Sequence, residues 1–271
     1  MKAHRDPHSN HRSLSIWLDQ LQASGRYTFT TMQAQSATGA SASAVYQAAR
    51  RLRRAGRVAP IRGGLYTLIP LEHRANGSPP ASWFIDDLMR HLRQAHYVGL
   101  LTAASLHGAS HQAVQVFQVV TDRPTRAVEV GRVRVGFVQS GRLEQTPVVR
   151  LNTATGTMAV STPEATAFDL VRYRSASGGL NNVATVLSEL AESIDSRELL
   201  VVAASVEVAV VQRTGFLLEL VGAHQPADAL AEWLSRVGSH PVALRPDLPI
   251  QHAPRNARWR VLVNDQVEPD L

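Results

Sequence analysis

The chain has 271 residues, 44% of them hydrophobic, and carries a formal net charge of +6. Its length is sufficient for two domains with buried cores, and the absence of cysteine excludes disulfides, cysteine-bound zinc, iron–sulfur clusters and thiol chemistry. The sequence contains no apolar run of about 18 residues, so no membrane span is predicted. Its polar start does not resemble a secretory signal, and we expect a cytoplasmic protein.

The positive charge is concentrated at the N-terminal end. Residues 1–74 contain 11 lysines and arginines against 3 acidic residues, a net of +8, whereas residues 75–271 contain 17 against 19, a net of −2. A basic segment joined to a nearly neutral remainder indicates a polyanionic partner for the N-terminal part alone.

The first elements in chain order are short. Residues 1–12 are polar and histidine-rich, and we predict a disordered tail there. Ser13 is a suitable N-cap for a first helix with regularly spaced leucines. An extended piece at Tyr27–Thr30 and a second helix at Met32–Thr38 follow, and Gly39–Ser41 forms a tight turn.

A third helix is predicted from Ser41 to Ala55. Val45, Ala49 and Leu52 recur at three- and four-residue spacing and form one apolar stripe, while polar and basic residues occupy the other side. Glycine follows at position 56, where a helix commonly ends. A basic helix of this kind is either a solvated face on a core helix or a surface for nucleic acid.

Two strand-like runs follow this helix and favour the nucleic-acid interpretation. Val58–Ile61 and Leu65–Leu68 flank Gly63–Gly64, which is a hairpin signal. The order helix, strand, helix, turn, helix and hairpin is that of a winged helix-turn-helix domain, which we place at residues 13–70. In a helix-turn-helix the second of the two helices enters the major groove of DNA. Here that helix is the third helix of the chain.

Residues on the exposed side of the third helix are the predicted DNA contacts. Those near its start are placed for base edges, and the arginines near its end for phosphates. Tyr46 could instead pack under the first helix. The full predicted set is Ser41, Ser43, Tyr46, Gln47, Arg50, Arg51, Arg53 and Arg54 on the helix, and Arg62 in the hairpin.

A proline- and glycine-rich stretch at residues 71–82 is predicted to link this domain to a second one at residues 83–238. The second domain is expected to be α+β, with a small mixed sheet followed by a helical half. Residues 239–271 are predicted to be an irregular extension containing one strand. Helices are predicted at 83–95, 97–107, 165–172, 180–194, 196–210, 215–222 and 227–237, and strands at 114–120, 128–130, 133–138, 148–151, 158–160 and 259–263.

Three stretches together resemble the AbiEi-type antitoxins of bacterial type IV toxin–antitoxin systems, which act in abortive phage infection. Arg62–Tyr66, RGGLY, is similar to the family's hairpin. Leu100–Gly108, LLTAASLHG, followed by the strand at Phe117–Thr121, resembles the start of its C-terminal domain. Ser161–Leu170, STPEATAFDL, is similar to one of its helix starts.

The resemblance implies a function for each part. The N-terminal domain would bind inverted repeats in the protein's own promoter and repress the operon. The C-terminal domain would antagonise a nucleotidyltransferase-like toxin, and type IV neutralisation does not require a stable complex between the two proteins. The resemblance covers most of residues 14–235 and does not extend beyond about residue 238.

No catalytic constellation is recognisable, so we expect neither an enzyme nor a cofactor or metal. His107 and His111 have the spacing of a helical metal pair, but the intervening glycine should end the helix. Glu164 is expected to cap a helix start and Asp169 to make a buried hydrogen bond. No phosphate-binding loop or nucleophile elbow occurs.

Two alternatives remain open at the level of sequence. One is a winged-helix repressor with a ligand-binding effector domain, which would need an apolar pocket. The other is a nucleic-acid-acting enzyme with a winged-helix targeting domain. That enzyme would need clustered carboxylates for Mg²⁺, and the adjacent Asp86 and Asp87 point about 100° apart on a helix.

Overall fold

A computed structural model of the chain describes residues 13–109 and 115–270, so the predicted tail and His111 lie outside the described residues. The fold is α+β, with small sheets and a mainly helical second half. The chain divides into two compact units. The first unit comprises residues 1–94, 126–135 and 152–158, and the second comprises residues 95–125, 136–151 and 159–271.

The first unit begins with the predicted order of elements. Each of its first three helices starts at a side-chain cap: Ser13 accepts from the Ile16 N–H, Thr30 forms a capping box with Gln33, and Ser41 accepts from the Ala44 N–H. The elements are α1 (Leu14–Ala23), β1 (Thr28–Thr30), α2 (Thr31–Thr38), α3 (Ala42–Arg54), β2 (Val58–Arg62) and β3 (Leu65–Leu68).

These strands form an antiparallel sheet of order β1-β3-β2 that closes one core with the helices. Phe29 lies at its centre, with its ring stacked on Tyr66 and edge-on to Trp17. Val45 and Ala49 are buried against this core. Because α3 buries that stripe, its basic side remains outside.

The chain then passes through α4 (Ile85–Leu92), α5 (Leu100–Leu106) and a six-stranded mixed sheet. The strand order is β6-β7-β5-β4-β9-β8, in which β4 runs antiparallel to β5 and parallel to β9. The strands are β4 (His96–Val98), β5 (Phe117–Thr121), β6 (Val128–Val130), β7 (Val133–Gln139), β8 (Val148–Thr153) and β9 (Gly156–Ser161).

The remaining elements of the second unit are helical until the last thirty or so residues. Leucines, valines and alanines from these helices form one buried core with Trp259. A small sheet of order β10-β12-β11 follows. The elements are α6 (Pro163–Arg172), α7 (Gly179–Leu190), α8 (Ser196–Ala203), α9 (Val208–Leu220), α10 (His224–Val237), β10 (Val242–Ala243), β11 (Arg255–Asn256) and β12 (Val261–Leu262).

Three predictions for the second half are wrong. The helix predicted at 97–107 starts only at Leu100, and Tyr97 and Val98 belong to a strand; a short apolar run does not distinguish a buried strand from a buried helix. The predicted helix at 196–210 ends at Ala203, and a second one starts at Val208. The predicted strand at 259–263 is present in shorter form as β12, but the extension contains three strands and not one.

The fourth error concerns Gly215, which was expected to start a helix and instead lies within α9. A Cβ atom at this position would lie 1.9 Å from the ring of Trp259, which is fully buried. The glycine therefore makes room for the indole and does not interrupt the helix.

Within residues 13–109 and 115–270, no helix combines the length and apolar character that crossing a bilayer requires.

We predict that Gly215→Ala destabilises the protein, although alanine in a helix normally gains about 1 kcal/mol over glycine. Forcing the methyl group against Trp259 should cost more than that gain, for a net loss of about 1–3 kcal/mol in the free energy of unfolding. Urea denaturation measures it. Gly141→Ala is the control, because no atom lies within 4 Å of its added Cβ. Equal stability of the two variants would contradict the packing role.

Candidate nucleic-acid interface

The outer side of α3 is open to solvent over its whole length. Eight of the nine predicted DNA contacts lie there or at the helix start, and all eight are exposed. Tyr46 is 58% exposed, so it does not pack under the first helix. The eight are Ser41, Ser43, Tyr46, Gln47, Arg50, Arg51, Arg53 and Arg54.

The arginines are grouped at the C-terminal end of α3. Arg51, Arg53 and Arg54 occupy its last turn, where the helix dipole favours positive charge. Ser43, at the start, is small and leaves space for close approach of another molecule. The helix thus presents a short polar end and a strongly cationic end.

Arg62 differs from the other predicted contacts. It is half-buried, and its Nη2 donates to the backbone carbonyls of Arg126 and Ala127 at 2.9 Å each. At the neighbouring turn, His91 Nε2 lies 3.0 Å from the carbonyl oxygen of Gly63. The β2–β3 hairpin is therefore engaged by other parts of its own unit.

The net charges of the two units differ more than the net charges of residues 1–74 and 75–271 do. Among the described residues, the first unit holds 13 arginines against 5 acidic residues, a net of +8. The second unit holds 12 arginines against 16 acidic residues, a net of −4. The first unit is the one suited to a polyanion.

The second unit contains a buried ionic cluster around Asp169. The Asp169 carboxylate accepts a hydrogen bond from the Tyr97 hydroxyl at 2.6 Å and one from Arg172 Nη1 at 3.0 Å. Arg172 Nη2 also donates to Glu207 at 2.6 Å, and Arg142 Nε donates to the same carboxylate at 2.8 Å. Asp169 thus makes the buried hydrogen bond that the sequence predicts.

Burial dominates the acid–base behaviour of this cluster. Desolvation raises the pKa of Asp169 to about 6, although the bonds from Tyr97 and Arg172 act in the opposite direction. Burial and the nearby carboxylate raise the pKa of Tyr97, which keeps its hydroxyl a donor. Burial disfavours the charged form of Glu207, but the hydrogen bond from Arg172 prevails and its pKa is lowered.

Only Asp169 was singled out from the sequence. Arg172 lies one helical turn later, and this three-residue spacing of opposite charges is a readable signal. Glu207 lies 35 residues after Arg172, and Tyr97 lies 72 residues before Asp169. Neither has a local sequence signal.

A cavity of about 10 Å³ adjoins Asp169 and Arg172, with Phe168 and Val206 among its lining residues. That volume corresponds to roughly one water molecule, far below the ~300 Å³ of a ligand pocket. This cavity does not provide the effector pocket that a ligand-responsive repressor would need.

Two of the described residues considered for metal binding, His107 and Asp87, have other partners. His107 Nε2 lies 2.7 Å from the carbonyl oxygen of Ser161, and Asp87 bonds to Thr28 and Arg90. Glu164 caps a helix start as predicted, but that of α8: it accepts from the Asp195 N–H at 3.0 Å. Across the described ranges, no three histidine or acidic side chains converge as a metal site would require.

Comparison with known proteins identifies the second half of the chain. Residues 97–220 match the family model described as the AbiEi antitoxin C-terminal domain, which confirms the resemblance seen in two of the three motifs. The crystal structure of the RV2827C protein from Mycobacterium tuberculosis is similar in fold, with a TM-score of 0.64 and 14% identity over 91% of this chain and 89% of that one. No curated protein matches.

Asp169 should make stability depend on pH. Its folded-state pKa of about 6 is above the unfolded value of about 4. Its contribution is therefore fully present below about pH 4 and lost as the pH rises through 6. Urea unfolding of the wild type should thus lose more free energy between pH 4 and 7 than unfolding of Asp169→Asn.

Tyr97→Phe is the matched control for this measurement. It retains the carboxyl group but removes a hydrogen bond that lowers its pKa, so the loss of stability should extend to higher pH. If the free energy of unfolding changes with pH in the same way for the wild type and Asp169→Asn, the raised pKa is contradicted.

Proposed function

Residues 97–220 match the AbiEi antitoxin C-terminal domain, and we propose that the chain is an antitoxin of this kind whose first unit is a winged-helix repressor of its own promoter. The observation that carries the proposal is the exposed basic side of α3. In a winged helix this is the helix that enters the major groove. The net charge of +8 on the described part of the unit supports binding to a duplex.

Within α3 we assign different tasks to the two ends. Ser43, Tyr46, Gln47 and Arg50 are placed to read base edges, with Ser41 at the helix start. The three arginines of the last turn are placed to bind phosphates. Because Arg62 already donates to two carbonyls, we give it a positioning role instead.

Most of the residues that match the antitoxin domain lie in the second unit, and we propose that the target of this domain is a nucleotidyltransferase-like toxin encoded beside the gene. The net charge of −4 on this unit disfavours DNA binding by the unit itself. In type IV neutralisation a stable complex with the toxin is not required. We assign the protein no catalytic activity and no cofactor, and its promoter target implies the cytoplasm.

We place the functional boundary between the two units rather than at the predicted linker at 71–82. Residues following that stretch pack onto the winged helix: Trp83 is edge-on to Tyr27, and Asp87 accepts from Thr28. A fragment ending at residue 80 would lose both contacts. Point variants in the full chain are therefore better tests than truncations.

The first of these tests separates reading from positioning. Gln47→Ala or Arg50→Ala should cost about 1–3 kcal/mol on the promoter duplex and little on random DNA of equal length. Arg54→Ala should weaken binding to both duplexes alike, because a phosphate contact carries no sequence information. Fluorescence anisotropy at fixed salt measures both. Equal losses on the two duplexes for Gln47→Ala and Arg50→Ala would contradict the assignment.

The second test separates the two activities in cells. The Arg50→Ala, Arg54→Ala double variant should derepress a promoter reporter yet still rescue growth when the neighbouring toxin is expressed. Both side chains are exposed, so the change should leave the second unit folded. Loss of rescue at normal protein levels would show that neutralisation depends on DNA binding and contradict the division.

A further inference from the structure

A segment far along the chain is built into the first unit. Residues 126–135, which contain β6 and the start of β7, belong to this unit and not to the sequence around them. They carry three arginines, Arg126, Arg132 and Arg134, and one acidic residue, Glu129. No local sequence pattern groups these arginines with the N-terminal ones.

Specific contacts fix both ends of this segment. At its start, Arg62 at the end of β2 donates to the carbonyls of Arg126 and Ala127. At its turn, the Arg132 N–H donates to the Asn76 carbonyl at 2.8 Å. The packing at that turn is close enough that a Cβ on Gly131, where φ is +57°, would lie 2.3 Å from the same oxygen.

The arginines of this segment are not equivalent. Arg134 is paired with Glu129 at 2.9 Å. Arg126 and Arg132 are exposed, and within the described residues neither side chain has a hydrogen-bond or ion-pair partner. An arginine held in place by its own backbone but unpaired at its guanidinium is suited to bind an anion.

The distance of Arg126 from the end of α3 is limited by the chain between them. One turn connects α3 to β2, and β2 has five residues, so it spans roughly 16 Å. The Arg126 carbonyl is bound at the far end of that strand. This length is about half of the 34–36 Å in one turn of duplex DNA. With one phosphate charge per ~1.7 Å of axis, a duplex held by α3 has several phosphates within this distance.

We propose that Arg126 and Arg132, at the two ends of β6, each bind a phosphate of the DNA backbone beside the part held by α3. Arg62 is the positioning residue that holds this segment against β2. The inference rests on the proposed DNA-binding function of the first unit and adds to it a contact surface from a remote segment.

The test is the salt dependence of DNA binding by the full chain. Each phosphate contact contributes about 0.9 to the log–log slope. Arg126→Ala with Arg132→Ala should therefore reduce the slope by about 2 and weaken binding roughly 10- to 30-fold at 0.15 M salt. The probe is the duplex immediately upstream of the gene, and a random duplex should show the same loss.

The matched control removes the same charge from the second unit. Arg197 and Arg255 are exposed there, and Arg197→Ala with Arg255→Ala should leave slope and affinity unchanged. A wild-type slope for the Arg126 and Arg132 variant, or an equal loss in the control, would overturn the proposal. If Arg54→Ala weakens binding but Arg126→Ala with Arg132→Ala does not, this inference alone fails. If the wild type binds neither duplex, the proposed function fails with it.

The role of Arg62 has its own readout. In the wild-type background Arg62→Ala should lower the slope, because it releases Arg126. In the background lacking Arg126 and Arg132 it should change the slope by less than about 0.3, since nothing remains to be positioned. A further decrease of about 0.9 in that background would show that Arg62 contacts a phosphate directly and overturn its positioning role.

Discussion

One guanidinium group joins parts of the first unit that lie 64 residues apart in sequence. By donating to the carbonyls of Arg126 and Ala127, Arg62 commits the end of β2 to a protein contact. Asn76 holds the same remote segment at its turn. A basic unit assembled in this way presents more cationic surface than α3 alone, and its assembly depends on chain that passes first through the second unit.

The second unit is organised by a different constraint, the burial of charge. A buried carboxylate is costly unless it is bonded, and Asp169 has Tyr97 on one side and Arg172 on the other. Arg172 in turn joins α6 to Glu207, directly before α9. The helical core around this cluster therefore has a polar centre that fixes how its elements meet, within the region that matches the antitoxin family.

Local sequence patterns are sufficient to predict much of this fold. The caps at Ser13 and Ser41, the stripe on α3 and the turn at Gly63–Gly64 are all readable within a few residues, and they predict the first six elements in order. Contacts across long distances are not readable in this way. The role of Gly215 is not readable because its partner, Trp259, lies 44 residues later, and the contact of Arg62 with Arg126 and Ala127 is not readable because backbone carbonyls carry no side-chain signature.

Hydrogen–deuterium exchange of the full chain, with and without its promoter duplex, locates the DNA-binding surface. If the first unit binds DNA, amide exchange should slow in peptides covering residues 41–54 and 126–135 when the duplex is present. Exchange in α7 to α10 should stay unchanged, because these helices belong to the acidic second unit. Protection in those helices, or unchanged exchange across α3, would contradict the assignment of DNA binding to the first unit.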